Sequence, residues 1–253
     1  MRFLFILIIC GQVWAGETIN KEVFLPMHSK DAKLLINFAD QVENRNNRLV
    51  VIAPGLADGK SAPLFEKIAL RLSKQNNTVI RFSWQDELEE VDPRVDDDVY
   101  QHLLLAGLSF ATPYIGDEPW PKEIIFIGKS YGSRVLANWI KHGLPHSAQG
   151  IREKIQLRGV LLTPNCSDQK PFDQQYGSYL KSIKKSLIII SKEDQYCDFS
   201  QIENSFWLNT HTASDIDLYT PNGDHGFNLG TPEETDMNLE RVSEVIDFWL
   251  NLK

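Results

Sequence analysis

Residues 128–132 read Gly-Lys-Ser-Tyr-Gly, a G-x-S-x-G pentapeptide. Its residues are common, so its context decides what it means. Glu123-Ile-Ile-Phe-Ile-Gly128 is strand-like, and Tyr131 to His142 carries Val135, Leu136, Trp139 and Ile140 at helical spacing. At a strand-to-helix junction the pentapeptide makes a sharp elbow. The two glycines relieve crowding, and the Ser130 hydroxyl is pushed out at the carboxyl end of a sheet. A hydroxyl held there is placed to act as a nucleophile.

Serine is a weak nucleophile until a base takes its proton, and the base needs a carboxylate to orient it. Of six histidines, His225 lies in Asn222-Gly-Asp-His-Gly-Phe227, after the last strand and before the last helix. The chain order serine, acid, histidine puts the base there. His28 precedes the sheet, His102 falls within a helix, His142 and His146 flank the end of the serine helix, and His211 is in a polar loop. For the acid, strand Leu187 to Ile190 runs into Ser191-Lys-Glu-Asp-Gln195, with Asp194 just past the strand's carboxyl end. Glu193, Asp198 and Asp168 are its rivals, while Asp224 adjoins His225 and should point elsewhere. The oxyanion of a tetrahedral intermediate would need two backbone donors. Tyr131 N–H is one, and Leu56 N–H, in Ala53-Pro-Gly-Leu-Ala-Asp-Gly59, is the other.

The elements that must position these groups alternate from about residue 48. Strands are expected at Arg48 to Ala53, Thr78 to Ser83, Glu123 to Gly128, Leu157 to Thr163, Ser186 to Ser191 and Ile216 to Tyr219. Helices are expected over Ser61 to Lys74, Asp96 to Thr112, Tyr131 to His142, and near 173–184, 199–208 and 233–251. Near-continuous apolar strands between helices imply a mostly parallel, doubly wound α/β sheet covered on both faces. Before it, Ile19 to Phe24 reads as an edge strand and Asp31 to Val42 as a helix. No large insertion separates the serine helix from the acid strand, so little or no lid is expected.

The chain has 253 residues, 42% hydrophobic and 24% charged, which suits a globular domain and excludes a disordered or fibrous one. Its formal charge of −8 argues against nucleic-acid binding, which draws on basic surface. Met1-Arg2, the apolar run Phe3 to Cys10 and small residues up to Ala15 have the layout of a secretory signal peptide. Residues 1–15 are therefore expected to be removed, leaving 16–253 as one exported domain, periplasmic or secreted, without stable membrane insertion. Cleavage removes Cys10, and Cys166 and Cys197 remain. They follow consecutive strands on the same rim, so in an oxidising compartment they are expected to pair.

At Gly128-Lys-Ser-Tyr-Gly-Ser-Arg134, the Pro54-Gly55 loop, the Val79-Ile-Arg-Phe82 strand, the strand ending at Asp194 and Gly223-Asp-His-Gly-Phe227, the chain resembles the α/β-hydrolase superfamily. More narrowly it resembles the dienelactone-hydrolase-like branch that includes testis-expressed protein 30 and the hydrolase-like region of the KAT8 regulatory complex subunits. Such proteins usually carry His-Gly where this chain has Pro54-Gly55. The resemblance implies a hydrolase constellation and no particular substrate. The expectation is a serine hydrolase acting on a small-molecule or acyl substrate at an ester, thioester or amide bond, without a cofactor and without a metal. A reading of another class is a non-catalytic binding module on the same fold, which the intact Ser130, Asp194 and His225 set argues against.

Overall fold

A computed structural model describes residues 18–25, 30–37, 47–55, 62–82, 121–142, 155–166, 171–183, 185–208 and 215–252. Its strands are β1 (Thr18–Leu25), β2 (Lys30–Asn37), β3 (Arg48–Ala53), β4 (Thr78–Phe82), β5 (Glu123–Lys129), β6 (Gln156–Leu162), β7 (Lys185–Ile189) and β8 (Asp215–Tyr219). Its helices are α1 (Pro63–Ser73), α2 (Tyr131–His142), α3 (Phe172–Ser182), α4 (Phe199–Leu208) and α5 (Pro232–Asn251). The strands form one sheet in the order β1-β2-β4-β3-β5-β6-β7-β8. From β4 to β8 all neighbours are parallel, while β2 runs antiparallel to both β1 and β4. This is the mostly parallel, doubly wound α/β sheet that the strand patterning implies.

The central strands are apolar on both sides because both sides are covered. Leu49, Val51, Ile124, Phe126, Leu161 and Ile188 pack towards α2, α3 and α4. Their alternates Val50, Ile52, Ile125, Ile127, Val160 and Ile189 pack towards α1 and α5. Pro63 opens α1, where proline's fixed φ and missing N–H are tolerated. A capping box opens α5: Thr231 Oγ1 accepts from Glu234 N at 3.2 Å, and Glu234 Oε2 accepts from Thr231 N at 3.1 Å. Among the described residues no helix is long and apolar enough to cross a membrane.

One expectation is overturned. Lys30–Asn37 is a strand, where a helix over Asp31 to Val42 was expected; residues 38–42 lie outside the described ones. Leu34 and Leu35 suit a helical face, but Ala32, Leu34 and Ile36 also alternate with period two. Pairing decides between them, through ladders to β1 and to β4 in which Ile36 lies opposite Ile19 and Ile80. The edge strand expected at Ile19 to Phe24 is β1. The helix expected over Asp96 to Thr112 and the signal segment 1–15 lie outside the described residues.

At the amino ends of the strands, Arg158 locks α5 to the sheet. Its guanidinium lies 4.4 Å over the Trp249 ring and donates to the Trp249 and Leu250 carbonyls, both at 2.8 Å. Those carbonyls lie in the last turn of α5, where helical partners run out; Trp249 O also accepts from Leu252 N at 3.3 Å. Burial lowers the Arg158 pKa and the Glu123 carboxylate, 3.6 Å away, opposes that shift. Arg158→Met should therefore cost about 3–6 kcal/mol, the loss of two charge-assisted hydrogen bonds at about 1.5–3 each. Urea unfolding checks it through a lower midpoint at an unchanged slope.

Candidate active site

β5 ends at Lys129 and α2 begins at Tyr131, so Ser130 alone makes the turn. Its φ is +52°, a left-handed conformation that costs a serine about 1–3 kcal/mol. The surroundings impose it. A Cβ at Gly128 would stand 2.7 Å from Ser133 N, and one at Gly132 would run into the carbonyl oxygens of Ala53 and Pro54. Ser133 Oγ donates to Gly128 O at 2.6 Å and Ser133 N to Ser130 O at 3.1 Å, closing the turn. Ser130 N donates to Leu162 O at 2.9 Å, fixing the elbow to the end of β6.

The candidate acid and base follow the next two strands, β7 and β8. His225 Nδ1 lies 2.9 Å and 3.0 Å from the two carboxylate oxygens of Asp194. A carboxylate only accepts, so Nδ1 carries a proton, which in a neutral imidazole leaves the lone pair on Nε2. The Asp194 side chain is fully buried and that of His225 is 13% exposed. Asp194 Oδ1 also accepts from Tyr196 N at 2.8 Å and Cys197 N at 3.2 Å, which fixes the acid by its own loop. Of its rivals, Glu193 is exposed, Asp198 is taken up with Ser200 N at the start of α4, and Asp168 lies outside the described residues.

The histidine loop is held just as firmly. Asp224 Oδ1 accepts from Gly226 N and Asn228 N at 2.7 and 2.9 Å, and Asn238 Nδ2 ties Asn222 O and Phe227 O to α5. Burial would raise the Asp224 pKa, but these hydrogen bonds and the nearby Lys129 charge outweigh it and hold the carboxyl below its ordinary range. Asp224 thus shapes the loop and leaves His225 to Asp194. Thr163 Oγ1 donates to His225 O at 3.1 Å. The stretch Leu162–Asn165 therefore touches both the Ser130 turn and the His225 loop.

Tyr131 opens α2, in the turn whose N–H groups point out of the helix end. Leu56 lies outside the described residues, while Ala53, the last residue of β3, pairs with Gly128 in register. His28, His102, His146 and His211 also lie outside them, and His142 ends α2. Cys166 and Cys197 form a disulfide with Cα atoms 4.7 Å apart, past the ends of neighbouring strands β6 and β7.

Two neighbours of the site were not anticipated. Ser130 Oγ donates to Asn165 Oδ1 at 3.1 Å, and the half-exposed Tyr196 meets the His225 ring edge-on at 4.6 Å between centroids. The sequence signal for both was their place just past the carboxyl ends of β6 and β7. A cavity of about 330 Å³ near α5, lined by Lys192, Thr220, Asn222, Met237 and Arg241, includes none of the three triad candidates.

The sequence matches no protein-family model and no curated protein. Solved structures do resemble the chain. An esterase of Pyrococcus furiosus superposes with a TM-score of 0.60 at 17% identity, covering 93% of each chain. A candidate dienelactone hydrolase of Klebsiella pneumoniae superposes at 0.64 and 12% identity, covering 93% of this chain and 100% of its own. An α/β serine hydrolase without lid, from Xanthomonas campestris, superposes at 0.61 and 14% identity, covering 96% and 100%. The chain has the α/β-hydrolase fold. Among the described residues of that fold there is no lid.

The bridge joins the loop beside Ser130 to the loop that carries Asp194. Its cysteines are 31 residues apart, a loop length at which a disulfide contributes about 3 kcal/mol. Cys197→Ser should lower unfolding stability by about that amount, read by urea titration. In the wild-type protein both thiols should titrate only after reduction.

Proposed function

We propose that this protein is a serine hydrolase that cleaves an ester, thioester or amide through an acyl-enzyme, with esters the best fit. The observation that carries the reading is the Asp194–His225 pair at 2.9 Å, on the rim where the Ser130 elbow opens. The fold shared with esterases and serine hydrolases supports it. The Gly128–Gly132 and Gly223–Phe227 motifs support the narrower kinship with testis-expressed protein 30 and the KAT8 complex subunits.

In this reading Ser130 Oγ attacks the acyl carbon while His225 Nε2 takes its proton. Asp194 holds the imidazole and stabilises its charged form. The N–H groups of Tyr131 and Leu56 donate to the developing oxyanion. His225 returns the proton to the leaving alcohol, thiol or amine. Water then attacks the acyl-enzyme with His225 again as base, which releases the acid and restores Ser130.

The substrate is a small acyl compound. The domain is residues 16–253, and export to a periplasm or beyond fits both the N-terminal 15 residues and a disulfide that oxidising surroundings preserve.

A fluorophosphonate probe should label the wild-type protein, and Ser130→Ala should abolish labelling at an unchanged circular dichroism spectrum. His225→Ala should lower kcat for an activated ester on the order of 10⁴-fold. A labelled Ser130→Ala protein would point to another nucleophile. An unlabelled wild type would favour a binding module instead.

A further inference from the structure

Ser130 Oγ donates its hydrogen bond to Asn165 Oδ1, at 3.1 Å. A hydroxyl has one proton. Among the described residues, the proton that His225 must remove is therefore committed to an amide oxygen instead. That competing acceptor is firmly held. The Asn165 backbone carbonyl accepts from Gln175 Nε2 at 3.1 Å and from the Tyr176 hydroxyl at 3.3 Å, and Tyr176 is fully buried in α3. The next residue, Cys166, is bridged to Cys197 and donates its N–H to Tyr196 O at 3.2 Å. Anchors from α3 and from the acid loop thus fix Asn165 against the nucleophile.

We infer that Asn165 is a positioning residue that holds the Ser130 hydroxyl at rest, so that the proton must turn from its amide oxygen to His225 before attack. The inference rests on Ser130 being the nucleophile. With an alkyl fluorophosphonate, Ser130 Oγ bonds to phosphorus, fluoride leaves, and the hydroxyl proton passes to His225 Nε2. The rate depends on the fraction of protein in which the proton already faces the histidine. Removing the rival acceptor raises that fraction, and making it a carboxylate, a stronger acceptor, lowers it. A residue that merely packed the loop would slow the reaction whichever way it was changed.

The test is the second-order rate constant for labelling by an alkyl fluorophosphonate in wild type, Asn165→Ala and Asn165→Asp. The Ala variant should react roughly three- to tenfold faster, the scale of one neutral hydrogen bond, with the shape of the pH–rate profile unchanged. The Asp variant should react roughly tenfold slower or worse near neutral pH. Should the Ala protein not fold, Asn165→Leu, which keeps bulk but lacks an acceptor, takes its place in the same ordering. Any other ordering overturns the resting-state role, while the hydrolase reading stands as long as wild type is labelled at Ser130. A wild type unlabelled at Ser130 overturns both.

Discussion

The turn at Ser130 constrains everything else about the site. One residue must carry the chain from a buried strand into a buried helix, and it does so only with φ at +52°. Side chains at 128 and 132 would collide with backbone that has nowhere to go. Reversal in so short a space leaves the serine side chain one direction, off the carboxyl edge of the sheet. The cost of the left-handed residue is met by the packing of β5 and α2, where Ile124 to Ile127, Val135, Leu136 and Ile140 are buried.

From that edge the strand order assembles the rest. β3 lies on one side of β5 and β6 on the other, so Ala53 and Pro54 at the end of the one and Leu162 to Asn165 at the end of the other meet the elbow. β7 and β8 follow outward and deliver Asp194 and His225 in turn. Hydrogen bonds hold the site residues in place. Asp194 is fixed by two N–H groups of its own loop, His225 by Thr163 and by the Asp224 and Asn238 hydrogen bonds, and Asn165 by Gln175 and Tyr176. The disulfide cross-ties the loop that touches the serine to the loop that holds the acid.

Much of this was legible in the sequence because it depends on local pattern. The strands from Arg48 to Tyr219, the elbow and the pairing of Cys166 with Cys197 follow from runs of apolar residues and from order along the chain. β2 was not legible: Leu34-Leu35-Ile36 fits both periods, and only the ladder to β4 selects the strand. Asn165 was missed for a related reason. An asparagine in Thr-Pro-Asn-Cys looks like a turn former until the register of β5 against β6 brings it to the serine.

The central claim is that Ser130 carries a covalent acyl group during turnover. Mixing the protein with excess p-nitrophenyl acetate, stopping the reaction in acid within the first turnovers and weighing the intact chain measures this directly. The account predicts added mass equal to one acetyl group, mapped by peptide fragmentation to Ser130 and lost as substrate is exhausted. Hydrolysis of the ester with the acetyl group on a different residue, or with none on the chain at any time sampled, would contradict it.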